Sequence, residues 1–229
     1  MKTDFFANID YGVSGSADSR FIAALIRGNR LERLGFERFV FYGGMLYAAA
    51  DKWWGTPGRR HARHEGIDLC FFRTRDGRYC RLDHSIAVPM AADSRIVHIM
   101  DDFLGQTVVA RWRVAESAGR ELLTIYAHIQ PVQGLAVGDR VEAGYMFARI
   151  ADVKYPGSPM PPHLHISMAW ADQLPEYRRW SWKLLNKCGS ERFIDPLDHI
   201  NIPYTILTSA AGMDPAAEYT PCRHVLSEL

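Results

Sequence analysis

The sequence predicts a mainly β protein: a compact antiparallel sandwich or barrel-like core with helical additions at its N-terminal and C-terminal ends. Three observations predict it. Short runs rich in β-branched and aromatic residues recur from about Trp54 to Trp170. Turn signals, chiefly Asp76-Gly77, Gly119 and Gly138, punctuate them. A chain of 229 residues with 48% apolar side chains is long and apolar enough for one substantial core with appendages.

Taken in order, residues 20–34 place Phe21, Ala24, Leu25, Leu31 and Leu34 at helical spacing, interrupted by Gly28. Phe39-Val40-Phe41-Tyr42 reads as a short buried strand ahead of Gly43-Gly44, and residues 45–54 are compatible with a helix. Residues 1–53 are therefore read as a lead-in packed on the core, 54–200 as the β domain and 201–229 as a tail. Strand-like runs follow at 67–74, 78–83, 95–100, 107–114, 122–129, 140–150 and 163–169. Pro161-Pro162 holds the approach to His163 extended. Residues 177–182 look helical and able to cover one edge, and the tail from Ser209 is read as loosely packed.

Charge excludes little but points away from some partners. Lys and Arg number 27 against 26 Asp and Glu, so a net charge of +1 gives no reason to expect nucleic acid or an acidic membrane surface. The local cluster Arg59, Arg60, His61 and Arg63 lacks interleaved aromatics and is read as a solvated loop. No run approaches the ~18 apolar residues of a membrane helix. No signal-peptide pattern follows Met1-Lys2, so the chain as it stands is expected to stay in the cytoplasm. The cysteines Cys70, Cys80, Cys188 and Cys222 form no close-spaced pair of the zinc-finger type. A two-residue hairpin at Asp76-Gly77 would set Cys80 opposite Arg73 and Cys70 opposite Asp83, leaving both thiols free, while Cys188 and Cys222 stay undecided.

Three segments carry candidate chemistry. In His64-Glu65-Gly66-Ile67-Asp68 an extended backbone points His64 and Asp68 to one side. In His163-Leu164-His165 the same period puts both imidazoles on one face and Leu164 into the core. In Tyr126-Ala127-His128 it puts Tyr126 and His128 together, opposite Ile125, Ala127 and Ile129. Catalytic zinc takes three nitrogen or oxygen ligands and leaves a fourth position open, so four histidines and one aspartate exceed the need by two. The surplus pair suits proton transfer and oxyanion stabilisation. Each histidine alone is more often a hydrogen-bonded structural residue. Glu65 is read as solvated or structural and facing away from the metal. His61, His84, His98, His199 and His224 have no spacing partner.

His64-x-Gly66-x-Asp68, Tyr126-x-His128 and Pro162-His163-Leu164-His165 resemble, in order, the three motifs of the LytM/lysostaphin-type zinc endopeptidases. Residues 88–97, the turn-bearing Gly138-x-x-Val141-x-x-Gly144 and Asp195-Pro196-Leu197 are similar to that family as well, so the likeness covers roughly 54–200. It implies a β core of the duplicated hybrid motif type with one zinc ion held by His64, Asp68 and His165. His128 and His163 would be the catalytic pair that activates water and stabilises the tetrahedral intermediate. The implied reaction is peptide-bond hydrolysis, in many relatives within peptidoglycan cross-links.

Two departures qualify the substrate. Residues 148–161 are bulky, charged and proline-bound where relatives carry a glycine-rich loop, and Ser167 stands where an acidic residue is common. A non-enzymatic module binding peptidoglycan or a partner on the same fold, and a zinc hydrolase acting on an intracellular amide, are the alternatives.

Overall fold

In the computed structural model of the chain, which describes residues 20–115, 120–152, 160–171, 180–187, 193–207 and 219–221, two β-sheets close over one apolar core. The smaller sheet has the order β13 (Tyr204–Leu207), β1 (Phe36–Tyr42), β3 (Phe71–Thr74), β4 (Tyr79–Arg81), β14 (Thr220–Pro221). The larger runs β12 (Phe193–Ile194), β11 (Leu164–Ala171), β8 (Glu121–Pro131), β7 (Gln106–Ala115), β6 (Ser94–Asp101), β9 (Arg140–Val141). Beside this path β2 (Gly66–Leu69) pairs with β11, and β10 (Met146–Ile150) joins β8 to β5 (Ala87–Pro89). The described pairs are antiparallel except at the smaller sheet's margins, where β1–β13 and β4–β14 run parallel. The protein is mainly β.

Burial explains the composition of the strands. Phe39, Val40 and Phe41 are all fully buried, as are Phe71 and Phe72, so these strands read as unbroken apolar runs with cover on both faces. Alternate residues of the larger sheet, among them Tyr126, Leu164 and Ile166, enter the same core. The intervening residues Val109, Leu123, Ile125 and Ala169 bury a second, smaller cluster with Leu185 and Phe193. Leu185 belongs to the short helix α2 (Trp182–Lys187). β8 and β11 are therefore held from both sides, which suits them to carry a precisely placed site.

The N-terminal helix is shorter than its periodicity suggests. α1 (Arg20–Gly28) ends at Gly28, and Leu31–Leu34 forms a separate 3-10 turn because Arg30 adopts a left-handed φ of 54°. Residues 45–54 are not helical. A 3-10 turn at Gly43–Met45 leads into a loop in which Ala48 has a φ of 60°. That loop pairs its backbone with the approach to β2: Ala48 N–H donates to His64 O and His64 N–H to Ala49 O, each at 2.9 Å. Met45 and Trp53 reach the core by this fold-back instead of along a helical face.

The hairpin at Asp76-Gly77 also differs by one residue. Phe72 pairs with Cys80 and Arg73 with Tyr79, because the turn spans Arg75, Asp76 and Gly77, with Gly77 at a φ of 86°. Cys70 and Cys80 are not joined in a disulfide, as expected, and both are buried. The tail is not loose throughout: Tyr219 is buried, stacks on Phe71 at 4.2 Å between ring centroids, and leads into β14. Residues 177–179 of the expected helix, the turn at Gly119, half of the 148–161 loop (153–159), His224, Cys188 and Cys222 lie outside the described residues.

Candidate metal centre

The register of β2 on β11 builds the site. His165 stands directly opposite Asp68, with Ile166 opposite Ile67 and Ser167 opposite Gly66. Cross-strand partners of this kind hold their Cβ atoms about 5 Å apart, so the two side chains meet without further folding. Gly66 is required there: a Cβ on it would lie 2.0 Å from the Ile166 carbonyl oxygen. His64 sits just before β2 and closes the group. His64 Nε2, Asp68 Oδ1 and His165 Nδ1 are separated by 3.2, 2.8 and 3.1 Å, and all three residues are buried.

That triangle fits a metal. A tetrahedral ion at 2.0–2.2 Å from each ligand needs ligand atoms roughly 3.3–3.6 Å apart, so these separations must open by less than about 1 Å to admit one. The ring nitrogens that do not face the triangle are already engaged. His64 Nδ1–H donates to the Leu46 carbonyl at 2.9 Å, which leaves Nε2 as the lone-pair donor. His165 Nε2 lies 2.7 Å from Ser167 Oγ, which leaves Nδ1 for the ion. Outer partners of this sort fix tautomer and ring orientation in metal sites. Two neutral imidazoles and one carboxylate suit zinc in charge and donor type.

Asp68 is held ionised. Burial alone would raise its carboxyl, but the imidazoles of His64, His163 and His165 packed against it outweigh burial, holding it well below the usual carboxylate range. Its second oxygen accepts from Trp53 Nε1 at 2.6 Å and from Arg60 Nη2 at 3.4 Å. The basic run read as a solvated loop thus contributes to the site. Arg60 is mostly buried, lies over the Trp54 ring at 4.4 Å and also donates to Gly44 O at 3.0 Å. Neither Trp53 nor Arg60 carries a spacing signal in the sequence.

His163 and His128 flank the triangle. His163 Nδ1–H donates to Pro161 O at 2.9 Å and its Nε2 lies 3.6 Å from Asp68 Oδ1. Burial drives its pKa down to about 3 against the opposing pull of Asp68, so it is neutral at physiological pH. The His128 and His163 rings meet edge-on at 4.8 Å, and Leu164 between the two motif histidines is fully buried.

Tyr126 does not join them. β8 carries a register shift against β7 between the pairs at Tyr126 and Ile129, and His128 has a φ of 62°. The bulge breaks the alternation, so Ile129 shares the core of Tyr126 while His128 borders the cavity. The Tyr126 hydroxyl accepts instead from Ala91 N–H at 2.8 Å.

A cavity of about 780 Å³ opens over these residues, with Trp54, Arg60, Phe103 and Trp182 among its walls. Glu65, expected to face away, borders it too, because the regular strand begins only at Gly66. Replacing Trp53 by Phe keeps the ring packing but removes the bond to Asp68 Oδ2. Zinc affinity is expected to fall about 10–100-fold, the usual loss for an outer-shell partner, as measured by competition with a chromogenic chelator.

No protein-family model matches the sequence, and no curated protein matches it. Among solved structures it is similar to the catalytic domain of the prophage-encoded M23 protein EnpA from Enterococcus faecalis, at 18% identity and a TM-score of 0.37 over 70% of this chain and 88% of that one. It is also similar to lysostaphin from Staphylococcus simulans, at 19% identity and a TM-score of 0.41, and to the solution structure of lysostaphin, at 18% and 0.39. The matches cover 72% and 78% of this chain but only 50% and 60% of those. These neighbours are M23/LytM-type peptidases.

Proposed function

We propose that this chain is a zinc-dependent hydrolase of peptide bonds, with His64, Asp68 and His165 as the metal ligands and His128 and His163 as the catalytic pair. The observation that carries the reading is the convergence of all five side chains at the floor of one cavity, with the non-ligating nitrogens of His64 and His165 already engaged. A zinc ion there supplies Lewis-acid polarisation of a carbonyl and lowers the pKa of a water. The protein does the rest. Asp68, fixed by Trp53 and Arg60, contributes the one negative charge of the ligand set. His163, neutral and with the Nε2 lone pair toward the cluster, is available to accept a proton and, once protonated, to donate a hydrogen bond to an oxyanion. His128 offers a second imidazole, edge-on to that of His163. The five side chains are themselves buried, which strengthens each of these interactions.

Peptidoglycan cross-links are the proposed substrate class, in keeping with the motif resemblance. The test is release of new amino groups from purified sacculi and from a peptide library by zinc-loaded protein. Hydrolysis that a chelator abolishes and added zinc restores is expected. A loaded, folded protein that cleaves no peptide would leave the non-enzymatic binding module as the better reading.

A further inference from the structure

Beyond the five motif residues, and resting on the reading of His128 as a proton-transfer group, one buried carboxylate is built around that histidine. Asp102 begins the tight turn from β6 to β7, where its N–H donates to Gly105 O at 3.0 Å. Its Oδ1 accepts from Leu104 N–H at 2.9 Å and Gly105 N–H at 2.7 Å, and its Oδ2 from the Thr107 hydroxyl at 2.8 Å. Those three bonds would be enough to cap the turn. Two more come from across the sheet: His128 N–H to Oδ2 at 2.9 Å, and the His128 ring through Nδ1 to Oδ1 at 3.2 Å. Five donors saturate a carboxylate that has about four lone-pair sites, and the side chain has no exposed surface.

We propose that Asp102 is the positioning residue for His128, gripping its backbone and its ring together so that the imidazole is held as the Nδ1–H tautomer with Nε2 left as the proton acceptor. A carboxylate can only accept, so the ring nitrogen facing it must carry the proton. Asp102 stays ionised: burial raises its carboxyl, but the hydrogen bonds from the His128 ring, the His128 N–H and the Gly105 N–H hold it well below the usual range. The grip also accounts for the backbone. A left-handed φ of 62° on a non-glycine residue is strained and persists only where neighbours over-determine it. Here the N–H is fixed by Asp102, and the carbonyl accepts from Ala151 N–H at 2.8 Å.

The same turn reaches the metal ligands. Thr107 Oγ1 accepts from Trp182 Nε1 at 2.9 Å, and the Trp182 ring stands edge-on to His165 at 5.5 Å. The spacing between His128 and the ligand set is thus fixed by packed, bonded groups on both sides.

The deciding measurement is 15N NMR of the histidine rings in zinc-loaded protein at neutral pH, with the His128 signals identified by their absence from His128→Ala. A protonated Nδ1 and an unprotonated Nε2 are expected; His128 found as the Nε2–H tautomer overturns the proposal. This measurement needs no hydrolysis, so it stands or falls separately from the peptidase reading. In the active enzyme, Asp102→Asn should lower kcat about 100-fold with KM and zinc content unchanged and release the fixed tautomer. Native kcat together with the native tautomer in Asp102→Asn would overturn it as well.

Discussion

Replacing His165 by alanine is expected to strip the protein of its zinc and to lower peptide hydrolysis at least ~10³-fold, the equivalent of about 4 kcal/mol of transition-state stabilisation. His165 is the hub of the triangle, 2.8 Å from Asp68 and 3.1 Å from His64. Two ligands cannot retain an ion that three hold with an open fourth position. The fold should survive. Asp68 keeps Trp53, Arg60 and His64 as partners, and β11 is anchored by its buried neighbours Leu164 and Ile166. Zinc per chain after dialysis, read beside a melting curve, checks both halves. Stoichiometric zinc in a folded His165→Ala protein would place the ligands elsewhere.

His128→Ala should behave differently. Its ring belongs to the cavity wall and not to the ligand triangle, so zinc should remain at wild-type occupancy while kcat falls about 10²–10⁴-fold, the range for losing a positioned acid or base. Alanine also leaves the Asp102 carboxylate without its ring donor, although four other donors remain. Steady-state kinetics with parallel metal analysis separates the outcomes. Unchanged turnover would remove His128 from the chemistry, and lost zinc would make it a ligand.

How much of this was legible in the sequence depended on how local the cause was. His163-Leu164-His165 obeys strand alternation, so its two-residue period places both imidazoles on the cavity side and Leu164 in the core. Asp68 and His165 are brought together by sheet register, which no spacing reveals, but the glycine that lets β2 approach β11 is visible between His64 and Asp68. Alternation failed at His128. A bulge held by Asp102 and Ala151, 26 and 23 residues away, reversed the side chain relative to Tyr126. Trp53, Arg60 and Asp102 were missed for the same reason: their partners are set by loop closure. A buried carboxylate needs donors from somewhere, so Asp68 implied such residues without naming them. At the level of fold, repeated short runs and turn signals sufficed for a mainly β protein. The non-helical path of residues 45–54 was hidden because its apolar side chains are buried by a fold-back that imitates no period.

Zinc-edge X-ray absorption on protein reconstituted with zinc, together with elemental analysis, tests the central claim most directly. One zinc per chain in a shell of two imidazole nitrogens and carboxylate or water oxygen is the expected result. Absence of zinc, or a shell containing sulfur from a cysteine, would contradict the assignment of His64, Asp68 and His165.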